Sequence, residues 1–331
     1  MAGFGQVSVS VFGHTRNGQP VRAISLSSGG LSLRVMEWGA TLLDLRLDGV
    51  PHPLTLGFED FSTYESHGQH VGAIAGRFAG RIAGGFSVDG QHFETTRNNG
   101  SATLHGGTAG LGVSLWSIHD YGDDFIDLVI RQPAGVDGFP GALEAHCRYQ
   151  LEQDELILRL SATSDAPTIC NLAQHSYFNL SGAPDIDDHS LTLAADHYTP
   201  LDASLLPTGE VLACDEVRSY RGHRRIGTAE LDGHFVLASL RRAEPAFAAT
   251  LSGGGVEMSI ATTEPGLVVY TADKFPITNR GLHPHPYGSR AGICLECQLW
   301  PDAPNQPGFP SAFLSPGETY LQETRYRLRR F

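Results

Sequence analysis

The stretch Leu143 to Ala162 reads LEAHCRYQLEQDELILRLSA. It divides into two runs, LEAHCRYQL and DELILRLSA, in which apolar and polar residues largely alternate, as in a strand whose side chains point to opposite faces in turn. Similar runs recur along the chain: LSLRVMEW, TLLDLRL, DLVIRQ, SLTLAA, GLVVYTA and YLQETRYRL. They are short, rich in Val, Leu, Ile and Tyr, and punctuated by 39 Gly and 19 Pro, so they read as strands joined by hairpins. Suitable turn pairs stand at Asn17-Gly18, Asp48-Gly49, Asp89-Gly90, Asn99-Gly100, Asp137-Gly138 and Asp232-Gly233. No segment carries an i, i+3, i+4, i+7 apolar stripe over three turns; the best helical stretch is EDFSTYES, Glu59 to Ser66. The expected fold class is all-β, a large antiparallel sandwich with few short helices.

Strands recur to the end of the 331 residues without a Pro/Ser linker or a shift in composition. Residues 1–331 therefore read as one domain, although length alone would suggest about two. Hydrophobic residues make up 41% and charged residues 18%, a globular composition. The formal charge of −13 comes from 36 acids and 23 bases, with no cationic run beyond Arg224-Arg225 and Arg329-Arg330, which argues against nucleic acid or an anionic membrane as partner. A small neutral ligand fits better, and monomer or homodimer is the expected assembly. No apolar run reaches the ~18 residues of a membrane-spanning helix, and MAGFGQVSVS lacks a basic n-region and a long apolar h-region, so the expected location is cytoplasmic.

The five cysteines, an odd number, suit a reducing compartment. Cys294 and Cys297 are three apart and would face opposite sides of a strand, so they are not expected to ligate a metal together. His283-Pro-His285-Pro also suggests metal, but flanking prolines and the lack of a neighbouring acid or cysteine favour an exposed loop. No P-loop, no G-x-G-x-x-G turn and no G-x-S-x-G elbow is present. The Gly72, Gly76, Gly80 spacing reads as tight turns or close backbone approach.

Four stretches combine polar side chains with glycine or strand context: GRFAGRI (76–82), TLHGGTAG (103–110), QHSYFNLSG (174–182) and CLECQLWPDAPNQPGFP (294–310). Glu296 and Gln298 share a strand face with Cys294, while Ile293, Leu295, Cys297 and Leu299 occupy the other. A buried carboxyl there would be pushed toward neutrality and suit a general base; an edge strand would instead turn it to water. His175, Tyr177 and Asn179 alternate, so one strand face would present all three to a ligand. His105 precedes two glycines that permit close backbone approach. Arg81 offers a planar donor fork, and spacing alone does not choose between it and Arg77. Asp232 is either a ligand-facing acid or a hairpin corner.

Taken together, GRFAGRIAGGFSVDGQ, LHGG followed by Trp116, NLAQHSYFNLSG, LDGHF and LECQLWPDAPNQPGFPSAFLSPGETY resemble the aldose 1-epimerase (galactose mutarotase) family, in family order from about Gly57 to the C-terminus. The resemblance implies that family's many-stranded β supersandwich. It implies Glu296 as catalytic base and His175 as acid, with Arg81, His105, Tyr177 and Asp232 contacting the sugar. Two departures stand out: Gly80 where many members carry asparagine, and Val268 where some carry a glutamine that touches the sugar.

The implied reaction interconverts α and β anomers of a free aldose such as galactose or glucose. One group takes the C1 hydroxyl proton while another protonates the ring oxygen, so an acid and a base must flank the ring, with no metal or organic cofactor. The alternatives are a hexose-6-phosphate 1-epimerase, which would want clustered cations, a glycosidase using Glu296 and Asp232 as a carboxylate pair, and a noncatalytic sugar-binding sandwich.

Overall fold

The computed structural model describes residues 6–67, 70–275 and 281–331. Strands Leu143–Glu152 and Glu155–Ser164 form the expected antiparallel pair, closed by a tight turn in which Gln153 takes a φ of 55°. Alternate residues of the first strand are buried, Tyr149 among them, whose hydroxyl donates to the Ala40 carbonyl at 2.8 Å. Each leucine removed from water on such a face contributes roughly 1.5–3 kcal/mol.

This pair lies within a nine-stranded sheet, where Glu155–Ser164 pairs with Tyr320–Arg330 and the latter with Val256–Thr262. A four-stranded meander, Gln6–His14, Pro20–Ser28, Leu31–Met36 and Thr41–Leu47, forms a second layer. A six-stranded sheet runs in the order Tyr177–Phe178, Ile293–Gln298, Gly266–Tyr270, Asp232–Val236, His197–Thr199, Leu212–Ala213. Every strand pairing in these three sheets is antiparallel. One apolar core joins them: Leu26 and Leu45 from the meander, Leu158 and Tyr326 from the large sheet, and Leu267 and Leu295 from the six-stranded sheet. The all-β supersandwich expected from the sequence is the fold, with strands at 47% and helix at 5%. The one α-helix among the described residues, Phe61–His67, falls on the EDFSTYES stretch.

Several local expectations change. Asp89-Gly90 and Asn17-Gly18 sit between paired strands, but Asp232-Gly233 lies inside a strand, Asp232 opposite Tyr270 and Gly233 opposite Val269. In the His-Pro-His-Pro loop Pro284 and Pro286 are exposed as expected and His285 is half-buried, but His283 is buried, 1% exposed, with its ring 5.5 Å from that of His285 and 5.6 Å from Tyr287. Its packing against Tyr287 and the neighbouring histidines overrides the bias of the flanking prolines. No helix among the described residues is long and apolar enough to cross a membrane.

Candidate active site

Ile293–Gln298 is an interior strand, flanked by Tyr177–Phe178 and Gly266–Tyr270, and is buried on both faces. Ile293, Leu295 and Cys297 enter the core, while Glu296 and Gln298 face a cavity of about 550 Å³. Glu296 is thus no edge-strand acid facing water. Burial drives its pKa up, the His175 imidazole draws it back, the Asp232 carboxylate raises it further, and Arg81 opposes that rise. Cys294 and Cys297 do take opposite sides, one against His175 and the other in the core; burial pushes the Cys294 thiol well up and the Cys297 thiol to about 12.

His175 is fixed by its backbone: its N–H donates to the Ala73 carbonyl and its carbonyl accepts from Gly72 N–H, both at 2.9 Å. The ring is held from behind by Cys294, Sγ to Nδ1 3.5 Å, and from the side by the Tyr177 ring at 5.2 Å. Its Nε2 then lies 3.6 Å from Glu296 Oε1, both side chains being over nine-tenths buried. Tyr177 completes this wall, packed also on Phe275 at 5.0 Å. Asn179 does not: its amide donates to the Ala183 and Ala291 carbonyls and accepts from Ser181 and Gly182. The chain changes sheet partner between Ala173–Gln174, paired with Ile74–Ala75, and Tyr177–Phe178, so the period of two does not run on to Asn179.

On the opposite side, His105 takes a φ of 52° and Gly106 one of 85°; a side chain at Gly106 would meet the Gly76 carbonyl oxygen at 2.1 Å. That close approach brings the His105 ring 5.1 Å from His175. Burial, then His70, His175 and Arg81, hold its pKa well below the ordinary value. Arg81 reaches the cavity from a short strand paired with Thr103–Leu104, its Nε donating to Asn99 Oδ1 at 3.0 Å. Arg77 is wholly buried, donating to the Pro140 and Gly141 carbonyls at 2.8 Å, which settles the choice that spacing left open. Asp232 lines the cavity at a strand start, and Leu231 beside it donates its N–H to Thr271 Oγ1 at 2.9 Å.

His105, His175 and Glu296 offer three potential metal ligands within 4.8 Å of one another. His105 Nδ1, however, accepts the Gly80 N–H at 3.3 Å, which places the ring proton on Nε2 and makes that edge a donor. Two ligands remain, fewer than the three protein ligands usual for catalytic zinc.

The cavity also contains residues that the sequence reading did not single out. His70 packs 4.9 Å from His105, and burial with the nearby His175 lowers its pKa to about 3. His234 is buried, bonded to Thr199 at 3.1 Å, and lowered to about 3 by burial. Lone histidines carry no period, so no sequence pattern marks them. Gln298, on the Glu296 face, has neither end of its amide paired with protein. At Gly80, φ 79°, a Cβ would come 3.2 Å from that amide, and Val268 stands directly opposite Glu296 in the neighbouring strand. Both departures noted above therefore border the polar end of the cavity.

The sequence profile described as aldose 1-epimerase matches residues 22–327. The chain belongs to the aldose 1-epimerase family. Over 333 residues it is 35% identical to the galactose mutarotase of Sus scrofa, spanning 96% of this chain and 97% of that one. It is 32% identical over 343 residues to the aldose 1-epimerase of Escherichia coli (strain K12), spanning 94% and 96%. Among solved structures it resembles galactose 1-epimerase from Lactobacillus acidophilus NCFM, with a TM-score of 0.85 at 27% identity over 98% of this chain and 99% of that one.

Proposed function

We propose that the cavity interconverts the α and β anomers of a free aldose such as galactose or glucose, making the protein an isomerase of the mutarotase type. The observation that carries this reading is the His175 to Glu296 approach, 3.6 Å apart on the wall of one sugar-sized hollow. Glu296, its carboxyl raised by burial, takes the proton from the C1 hydroxyl as the C1–O1 bond becomes a carbonyl. The ring C1–O5 bond breaks with its electron pair going to O5, which takes a proton from His175. After rotation about C1–C2, O5 attacks the other face of C1, and both protons return along the same paths.

Arg81, His105, Tyr177 and Asp232 hold the remaining hydroxyls, His105 as an Nε2–H donor. Burial keeps His105 neutral, so it supports the ring without competing for the migrating protons. The acidic chain, net −13, fits a substrate other than nucleic acid or an anionic membrane, and we read the protein as cytoplasmic and as a single domain. Polarimetry of freshly dissolved α-galactose and α-glucose tests the reading. Faster decay to the equilibrium rotation is expected; an unaltered spontaneous decay across a range of free aldoses overturns it. Binding with no acceleration would leave a sugar-binding sandwich, and glycoside hydrolysis without His175 would favour a carboxylate pair.

A further inference from the structure

The chain has 23 basic residues, and a single one of them is lysine, Lys274; the rest are arginine. That lysine lines the cavity. Its backbone is tied down, the Lys274 N–H donating to the Tyr270 hydroxyl at 3.3 Å and the Asp273 carbonyl accepting from Ser289 Oγ at 2.8 Å. The adjacent acid, Asp273, is occupied by Arg290 at 2.8 Å and by Thr271, so it does not neutralise the ammonium. Arg81, the other cation among the described residues of the cavity, is directed by Asn99.

A row of rings connects the acid/base pair to the backbone of Lys274. His175 lies 5.2 Å from Tyr177, Tyr177 lies 6.3 Å from Tyr270, and the Tyr270 hydroxyl accepts the backbone N–H of Lys274. In a hexopyranose the exocyclic C6 is attached beside the ring oxygen. With that oxygen at His175 and C6 turned toward Tyr177, a substituent at C6 would run along this row. Glu296 and Asp232 would repel an anionic sugar unless a cation met it. Lys274 presents one compact positive charge on a flexible stem, matched to a monovalent carboxylate; a phosphate dianion calls for a cluster.

We propose that Lys274 extends the substrate range to aldohexuronic acids, by pairing with the C6 carboxylate while C1 is processed at His175 and Glu296. This rests on the mutarotase reading above. The test measures kcat/KM by polarimetry for glucose and galactose, for their C6 uronic acids and for glucose 6-phosphate, with wild type, Lys274→Gln and Lys274→Arg.

The expected result is acceleration of both neutral and uronic sugars by wild type. The uronate-to-hexose ratio should fall about ten-fold or more in Lys274→Gln, the worth of one hydrogen bond to a charged group, and be largely kept in Lys274→Arg. Raising the salt to about 0.5 M should shrink the wild-type ratio. An unchanged ratio in Lys274→Gln, or uronates left at their spontaneous rate while hexoses are accelerated, overturns the inference alone. A larger loss for glucose 6-phosphate than for the uronates overturns the match to a monoanion. If wild type accelerates none of these sugars, the mutarotase reading fails, and this inference with it.

Discussion

Replacing Glu296 by Gln keeps the side chain's length and one hydrogen-bonding oxygen while removing its capacity to take a proton. A positioned general base contributes about 10²- to 10⁴-fold, so kcat should fall by that factor, or about 3–5 kcal/mol of barrier. KM should move only a few-fold, because the amide still meets the C1 hydroxyl and the other cavity walls are untouched. Stability supplies the control. Glu296 has a folded pKa raised above its ordinary value, chiefly by burial, so its carboxyl favours the fold below the unfolded pKa of about 4.5. That contribution is lost as pH rises through the folded value, above which the buried carboxylate is a net cost. The neutral amide should therefore leave the melting temperature at pH 7 unchanged or higher. Polarimetry under substrate saturation, beside a thermal melt, reads both quantities. A Gln variant that folds and keeps more than about a tenth of wild-type kcat refutes Glu296 as the base.

His175→Gln should lose a comparable factor, and the double variant should be little worse than the poorer single one, since an acid and a base that act in one step fail together; additive losses would separate their roles. Asp232→Asn removes a carboxylate that raises the Glu296 pKa, so the acid limb of the kcat/KM profile should move to lower pH, and a limb that stays in place contradicts the coupling. Burial lowers His189 and His283 to about 4 and His234 to about 3, against about 6.5 unfolded. Their neutral forms are favoured in the fold, so stability falls as pH drops below about 6.5, reaching roughly 4 kcal/mol of loss for the three together at pH 5.5. Urea midpoints that stay level between pH 7.5 and 5.5 would contradict this.

Alternation over Leu143–Glu152 and its neighbours was enough to read an all-β fold, because one buried face and a period of two leave few other solutions. The same period placed Glu296 and Gln298 on a shared face. It failed at Asn179, where the chain leaves one sheet partner for another and the asparagine becomes a loop brace. Local pattern also gave no means of bringing His70, His105, His175, His234 and Lys274 to one hollow. Their meeting depends on non-local strand order and on positive-φ residues at His70 and His105, whose surroundings, not their identity, fix the backbone. Arg77 and Arg81 show the same limit: two arginines four apart, one sealed against backbone carbonyls and the other facing the cavity.

Three imidazoles beside one carboxyl would be an expensive collection if all were charged. Burial resolves the crowding by lowering His70 and His105, which leaves His175 and Glu296, 3.6 Å apart, as the couple proposed to exchange charge. In the proposed cycle that couple starts as imidazolium and carboxylate, passes to imidazole and carboxylic acid when the ring is open, and returns on closure. The total proton count of the pair never changes, so turnover needs no exchange with water or buffer. What it does need is that the two arrangements lie close in free energy, or the open-chain state becomes a trap or a summit. Attraction across 3.6 Å favours the charged arrangement, and the burial that raises Glu296 favours the neutral one. The strand that carries Glu296 into the interior, between Tyr177–Phe178 and Gly266–Tyr270, is thus what supplies the burial that raises its carboxyl.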